Sequence, residues 1–237
     1  MDGEAEPQTT VEAMAEYCVH AIRGVQPVGP YYLAGHSLGG WIVFEMAHRL
    51  RLAGEEIAFL GIIDTPVPAP EDTVVRSNWT DARWIAQLST RIAQLLNPEL
   101  NVEEEALLGL DHAAQMAYLR NALVTAGVFP DQAGVDGLEH TLALFKAHAE
   151  VRYSIAGKRA GVCIHLYRTE HTPGHRPELV NDRAWGWGET GDVEIIDVPG
   201  EHLSLLRPPH VERLAMIMKQ NLSQFAARAA RVEFVGA

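Results

Sequence analysis

"YYLAGHSLGGWIVFEMAHRL", residues 31–50, runs from a short apolar strand through a glycine-rich turn into an amphipathic helix. The turn holds one serine, Ser37, with Gly35 two residues before it and Gly39 two residues after it. Such glycines leave room for a sharp strand-to-helix turn that exposes the serine hydroxyl at the carboxyl edge of a sheet. The pattern therefore indicates either a nucleophile or a structural Gly-Ser-Gly turn, and the rest of the chain has to distinguish the two.

Composition limits the class of protein. The chain has 237 residues, 47% of them apolar, which is enough for a single compact domain. Its apolar runs are far shorter than the roughly 20 residues that cross a bilayer, and its first residues are acidic, so we expect no membrane span and no signal peptide. A net charge of -12 argues against a nucleic-acid partner. Cys18 and Cys163 lack metal-ligand spacing, which predicts reduced thiols in a cytoplasmic protein with no bound metal.

The first part of the chain predicts a strand-helix-strand unit. A helix repeats apolar residues over 11–22, a strand covers 31–34, a helix runs from about 38 to 53, and "IAFLGIID" at 57–64 is the next strand. Both strands are continuously apolar rather than alternating. This pattern is typical of a parallel sheet that is covered on both faces.

Strands then give way to helices and return later. Residues 71–154 show no strand pattern but three helical patterns, the last of which covers 137–155. "GVCIHLYR" at 161–168 and "DVEIIDV" at 192–198 resume the strands before a last helix over 210–230. We predict one α/β domain spanning residues 1–237, with a core formed by 11–70 and 155–237. Its mostly parallel sheet is flanked by helices, and residues 71–154 form an inserted helical lid.

A serine nucleophile needs a base to accept its proton and an acid to orient that base. Among the eleven histidines, His202 lies in "VPGEHLSLL", a loop directly after the last strand. Asp64 ends the strand after the Ser37 helix, and its alternative role is a turn cap. Glu170 is a rival acid because it follows the next strand. The order Ser37, Asp64, His202 matches the nucleophile, acid and histidine order of α/β-hydrolases.

Two further residues belong to this turn. The backbone N–H of Leu38, the residue after the nucleophile, is one predicted donor to an oxyanion, and the helix behind it adds a positive dipole end. His36 is predicted to line the pocket. The sequence does not indicate other substrate-binding residues.

At this point the sequence resembles the thioesterase domains of non-ribosomal peptide synthetases and polyketide synthases. The resemblance rests on "GPYYLAGHSLGGWIVFEMAHRLRLAGEEIAFLGIIDTP" and "VPGEHLSLLRPPHVERLA". It implies Asp64 as the triad acid, a lid between that strand and the next, and an acyl or peptidyl substrate on the phosphopantetheine arm of a carrier domain. The chain itself then needs no bound cofactor.

The resemblance also implies strands and a glycine-rich loop before the first helix, where this chain has only ten residues, most of them polar. We therefore expect an amino-terminally truncated α/β-hydrolase fold without its second oxyanion donor. The leading interpretation is a thioesterase that works through an acyl-serine intermediate, by hydrolysis or macrocyclisation. The alternatives are a free-standing carboxylesterase of the same fold and a truncated, non-catalytic remnant.

Overall fold

A computed structural model describes residues 8–68, 78–132, 134–170 and 179–235, with side chains as far as residue 223. The described α-helices are α1 (Val11–Val25), α2 (Leu38–Leu52), α3 (Asp81–Leu95), α4 (His112–Thr125), α5 (Asp136–Ala149) and α6 (His210–Val235). The described strands are β1 (Tyr31–His36), β2 (Ile57–Ile63), β3 (Ile164–Arg168) and β4 (Val193–Asp197). The predicted α/β fold is confirmed.

The four strands form one parallel sheet in the order β1-β2-β3-β4. Pairing aligns Gly35 with Ile62, and His36 with Ile63, so β1 continues two residues beyond the predicted strand. The last five residues of β2 are all buried, which explains why that strand is continuously apolar.

The parallel arrangement brings all four strand ends to the same edge of the sheet. Ser37 follows β1, Asp64 follows β2, and Thr169 follows β3. His202 lies in the loop between β4 and α6. Residues from four distant parts of the chain therefore meet where parallel sheets commonly carry their functional sites.

Helix α6 is held against the sheet by apolar contacts. These contacts join strand residues to the loop after β4 and to α6 itself, in a cluster formed by Phe59, Ile63, Tyr167, Val198, Leu205 and Leu214. Burying a large apolar side chain contributes about 1.5–3 kcal/mol. The cluster therefore anchors the loop that carries His202.

The described residues fall into two compact units, one within Met1–Met14 and Ala69–Tyr153, the other within Ala15–Pro68 and Ser154–Ala237. The first unit contains α3, α4 and α5, which share a buried cluster built around Ile85, Leu107, Leu119 and Leu123. The second contains the sheet. The prediction that residues 71–154 act as a lid within a single domain stays a prediction.

Two predicted boundaries differ from the structure. The last helix of the insertion ends at Ala149 rather than near residue 155, because Val151 and Tyr153 are buried in non-helical chain and Arg152 forms a bridge with Thr10. Strand β3 begins at Ile164, three residues later than predicted, because a turn with Gly161 at φ 74° precedes it. None of the described helices is both long and apolar enough to cross a membrane.

Candidate active site

Ser37 sits in a strained turn between β1 and α2. Its φ of 56° and ψ of -129° lie outside the regions that non-glycine residues usually adopt. Ser37 is also the N-cap residue of α2, but its side chain makes no capping hydrogen bond to the helix. The side-chain oxygen of an N-cap serine usually accepts a hydrogen bond from a backbone N–H in the first turn of the helix. The hydroxyl of Ser37 is therefore used elsewhere.

The hydroxyl of Ser37 is bonded to His202, with 3.0 Å between Ser37 Oγ and His202 Nε2. On the other side of the ring, His202 Nδ1 lies 2.9 Å from Oδ2 of Asp64. An ionised carboxylate can only accept hydrogen bonds. Nδ1 therefore carries a proton and donates a hydrogen bond to Asp64. Nε2 is then the unprotonated nitrogen, and it accepts the hydrogen bond from Ser37.

Asp64 is completely buried, whereas about a third of the His202 side chain is exposed. Burial alone would raise the pKa of Asp64. Hydrogen bonds from His202 and from both the backbone N–H and the hydroxyl of Thr169 outweigh it, and leave the pKa of Asp64 below its ordinary value. Asp64 is therefore a stable carboxylate that can orient His202 and stabilise its protonated form.

Asp64, and not its rival Glu170, lies against His202. Both ring nitrogens of His202 are already bonded, one to Asp64 and the other to Ser37, while Glu170 is exposed at the surface. Thr169, the residue before Glu170, contacts the acid itself and donates two hydrogen bonds to Asp64. Thr169 was not predicted from the sequence, because nothing near it in the chain marks it as a partner of Asp64.

His36 has a more specific contact than the predicted pocket lining. Its Nε2 lies 2.8 Å from the backbone carbonyl oxygen of His202, and the centres of the two rings are 4.6 Å apart. A carbonyl oxygen only accepts hydrogen bonds, so His36 Nε2 carries a proton and donates a hydrogen bond to that oxygen. Burial and the neighbouring His202 lower the pKa of His36, which favours its neutral form. His36 thus connects the Ser37 turn to the loop of His202.

Close packing and hydrogen bonds hold the turn behind Ser37. The hydroxyl of buried Thr65 lies 3.0 Å from the carbonyl oxygen of Ser37 and 2.8 Å from that of Ile63. The carbonyl of Thr65 in turn accepts a 2.7 Å bond from the indole of buried Trp187. A Cβ at Gly40 would come within 2.7 Å of the Thr65 hydroxyl. Glycine is therefore required at Gly40 as well.

The turn glycines differ from the interpretation drawn from the motif. A Cβ at Gly35 would collide with the backbone of Gly39, in agreement with the prediction. A Cβ at Gly39 meets no described heavy atom within 4 Å, so the predicted steric need for glycine at this position is wrong. Glycine is instead required one residue later, at Gly40, because a Cβ there would collide with the side chain of Thr65.

Leu38 is the first residue of α2. The N–H groups in the first turn of a helix lack partners within that helix and lie at its positive end. Its role as an oxyanion donor stays a prediction. Within the described ranges, no group of three or more His, Cys, Asp or Glu residues is arranged to hold a metal ion.

A parallel sheet with serine, aspartate and histidine in this order at its carboxyl edge defines an α/β-hydrolase arrangement. Comparison with known families gives a more specific identity. The model of the thioesterase domain family matches residues 1–222, and the chain belongs to that family, which is a family of hydrolases.

Curated relatives are multidomain synthetases. Chondramide synthase of Chondromyces crocatus is 28% identical over 220 residues, which are 92% of this chain and 6% of that protein. Atromentin synthetase of Tapinella panuoides is 26% identical over 222 residues, which are 90% of this chain and 22% of that protein. The chain thus spans less than a quarter of the length of either relative.

Solved structures agree with this family. The wild-type Vlm2 thioesterase domain is 26% identical, with a TM-score of 0.58 over 91% of this chain and 76% of that chain. A four-domain nonribosomal peptide synthetase bound to AMP and glycine gives a TM-score of 0.78 at 22% identity, over 92% of this chain and 16% of that chain. At that identity the second likeness shows the fold alone.

Proposed function

We propose that this chain releases an acyl or peptidyl group from the phosphopantetheine arm of a carrier domain, through an ester intermediate on Ser37. The observation that carries the proposal is the continuous hydrogen-bonded chain from Ser37 through His202 to Asp64. Membership of the thioesterase domain family supports the thioester as the bond that is cleaved. The likeness to multidomain synthetases supports a carrier domain as the partner.

In the first step, Ser37 Oγ attacks the thioester carbonyl carbon while His202 Nε2 takes the hydroxyl proton. The carbonyl oxygen becomes an oxyanion, which the N–H of Leu38 and the positive end of α2 stabilise. When this intermediate collapses, the carbon–sulfur bond breaks and His202 returns the proton to the departing pantetheine thiol. Asp64 keeps the ring oriented throughout and stabilises its protonated form.

In the second step, a nucleophile attacks the carbonyl carbon of the ester on Ser37, and His202 accepts its proton. The bond between that carbon and Ser37 Oγ then breaks, and His202 returns the proton to Oγ. Water gives a linear acid, whereas an amine or hydroxyl of the bound chain gives a macrocycle. Exclusion of water from the acyl-enzyme favours the second outcome. We propose that helices α3–α5 influence this choice as a lid.

Intact-mass spectrometry tests the proposal directly. The protein is incubated with acyl thioesters of a pantetheine mimic, and we expect a mass increase equal to the acyl group. The Ser37→Ala variant is the control, and it should gain no mass. A folded wild-type protein that forms no adduct with any acyl chain and does not react with a fluorophosphonate would contradict the proposal and favour a non-catalytic remnant.

The same acyl group presented in two ways separates a thioesterase from a carboxylesterase. We expect faster turnover of the pantetheine thioester than of the matching oxygen ester at equal concentration. Equal turnover of both, with no gain from the pantetheine part, would contradict a carrier-borne substrate. Analysis of the products as linear acid or macrocycle then identifies the nucleophile of the second step.

A further inference from the structure

The two carboxylate oxygens of Asp64 have separate partners. Oδ2 accepts the hydrogen bond from His202 Nδ1 at 2.9 Å. Oδ1 accepts two hydrogen bonds from one residue, at 2.9 Å from the backbone N–H of Thr169 and at 2.8 Å from its hydroxyl. Asp64 and Thr169 are 0% and 1% exposed, so water does not compete for these contacts.

We propose that Thr169 is a positioning residue for the acid of the triad: its hydroxyl and N–H fix the carboxylate of Asp64 in the orientation that directs Oδ2 at His202. The inference rests on the proposed function, because it concerns the same Ser37, His202 and Asp64. The backbone N–H and the hydroxyl of Thr169 both donate to Asp64, so Thr169 acts through Asp64.

The geometry explains why two donors matter. A carboxylate held at one oxygen by one bond can still rotate about its χ2 torsion, which is broad for aspartate. Two donors from different atoms of Thr169 converge on Oδ1 and restrict that rotation. Since Thr169 is β-branched, its χ1 is itself restricted, and the hydroxyl is held in place before Asp64 is engaged.

The sheet fixes the backbone donor independently of the side chain. The N–H of Asp64 donates to the carbonyl of Tyr167 at 2.7 Å, and the N–H of Val198 donates to the carbonyl of Arg168 at 2.8 Å. These bonds hold the chain on both sides of the end of β3. Replacing the Thr169 side chain therefore removes one donor to Oδ1 and leaves the other.

The decisive variant is Thr169→Val, which keeps the shape of the side chain and removes the hydroxyl. Loss of this hydrogen bond to a charged group should lower the rate of Ser37 acylation about 10-fold and leave KM unchanged. Thr169→Ser keeps the hydroxyl and should recover the rate to within about 2-fold. Glu170→Gln, the exposed neighbour, is the matched control and should leave the rate unchanged.

A second readout needs no turnover. Both hydrogen bonds from Thr169 lower the pKa of Asp64, so the titration of the Asp64 carboxyl carbon, followed by ¹³C NMR, should move to higher pH in Thr169→Val and not in Glu170→Gln. If Thr169→Val does not fold, Thr169→Ala removes the same hydroxyl without adding a methyl group at that site, and the same results are expected.

Two results would overturn the inference. An unchanged acylation rate and Asp64 titration in the folded valine or alanine variant would show that the hydroxyl does not position the acid. A serine variant as impaired as the valine variant would show that packing alone matters. A wild-type protein that forms no acyl-Ser37 would instead contradict the proposed function, while the NMR titration would still test the role of Thr169.

Discussion

A methyl group at Gly35 would collide with the first turn of α2. The Cβ of Gly35→Ala would overlap the carbonyl group of Gly39 and come within 2.9 Å of the backbone nitrogen of Gly40. Backbone atoms cannot move aside as the end of a flexible side chain can. The start of α2 would have to shift, and with it Ser37 and the N–H of Leu38.

The same substitution at Gly39 should have the opposite sign. A Cβ there meets no described heavy atom within 4 Å, and Gly39 is helical. Alanine is favoured over glycine in a helix interior by about 1 kcal/mol, so we expect Gly39→Ala to change stability by between zero and about 1 kcal/mol in the stabilising direction. Gly35→Ala should lose about 3 kcal/mol or more, at the upper end of overpacking in a core.

Urea unfolding followed by tryptophan fluorescence measures both effects, and the rate of fluorophosphonate labelling of Ser37 reports on the turn itself. Gly35→Ala should lower both the unfolding midpoint and the labelling rate, while Gly39→Ala should leave the midpoint unchanged or raise it. Equal destabilisation by the two variants would refute the reasoning, because the two glycines would then be required for the same steric reason.

The remaining predictions concern the residues around Ser37. Asp64→Asn should lower the acylation rate by about 10⁴-fold, as expected when the base loses its orienting carboxylate, whereas Glu170→Gln should retain the wild-type rate; the reverse result would exchange their roles. Because the pKa of Asp64 is lowered in the folded protein, its ionised form stabilises the fold above about pH 4. This stabilisation is lost as the pH falls through the pKa that Asp64 has in the folded protein. The difference in urea midpoint between wild type and Asp64→Asn should therefore shrink below pH 4, and a constant difference would contradict this. His36→Phe removes the hydrogen-bond donor to the loop of His202 and should lower kcat by up to about 10-fold with little change in KM. His36→Gln keeps a side-chain donor and should retain more activity. Identical kinetics for the two variants would exclude that hydrogen bond as the cause.

Most of the fold could be predicted because its signals are local. Continuous apolar strands next to helical patterns predict a parallel sheet, and the sheet was found with its strands in chain order. The errors fall where distant residues override local preference. Gly35 and His36 extend β1 because β2 pairs with them, and the chain after α5 leaves the helix because Val151 and Tyr153 are buried elsewhere.

The site was predictable to the extent that chain topology determines it. Ser37, Asp64 and His202 each follow a strand of the same parallel sheet, and the structure brings these three side chains together. Thr169 could not be assigned from its own surroundings, because a threonine after a strand is common and its partner is 105 residues away. Likewise, the contact of His36 depends on a loop 166 residues further along the chain.

The hydrogen bonds that join Ser37, His36, Asp64, Thr169 and His202 all lie within one compact unit, the one within Ala15–Pro68 and Ser154–Ala237. The orientation of the proposed nucleophile, base and acid therefore rests on hydrogen bonds made within the sheet and its loops. Reaction with a small fluorophosphonate would report on the triad alone. A change within α3–α5 that alters the ratio of macrocycle to linear acid, while leaving fluorophosphonate labelling intact, would separate control of the product from the machinery of acylation.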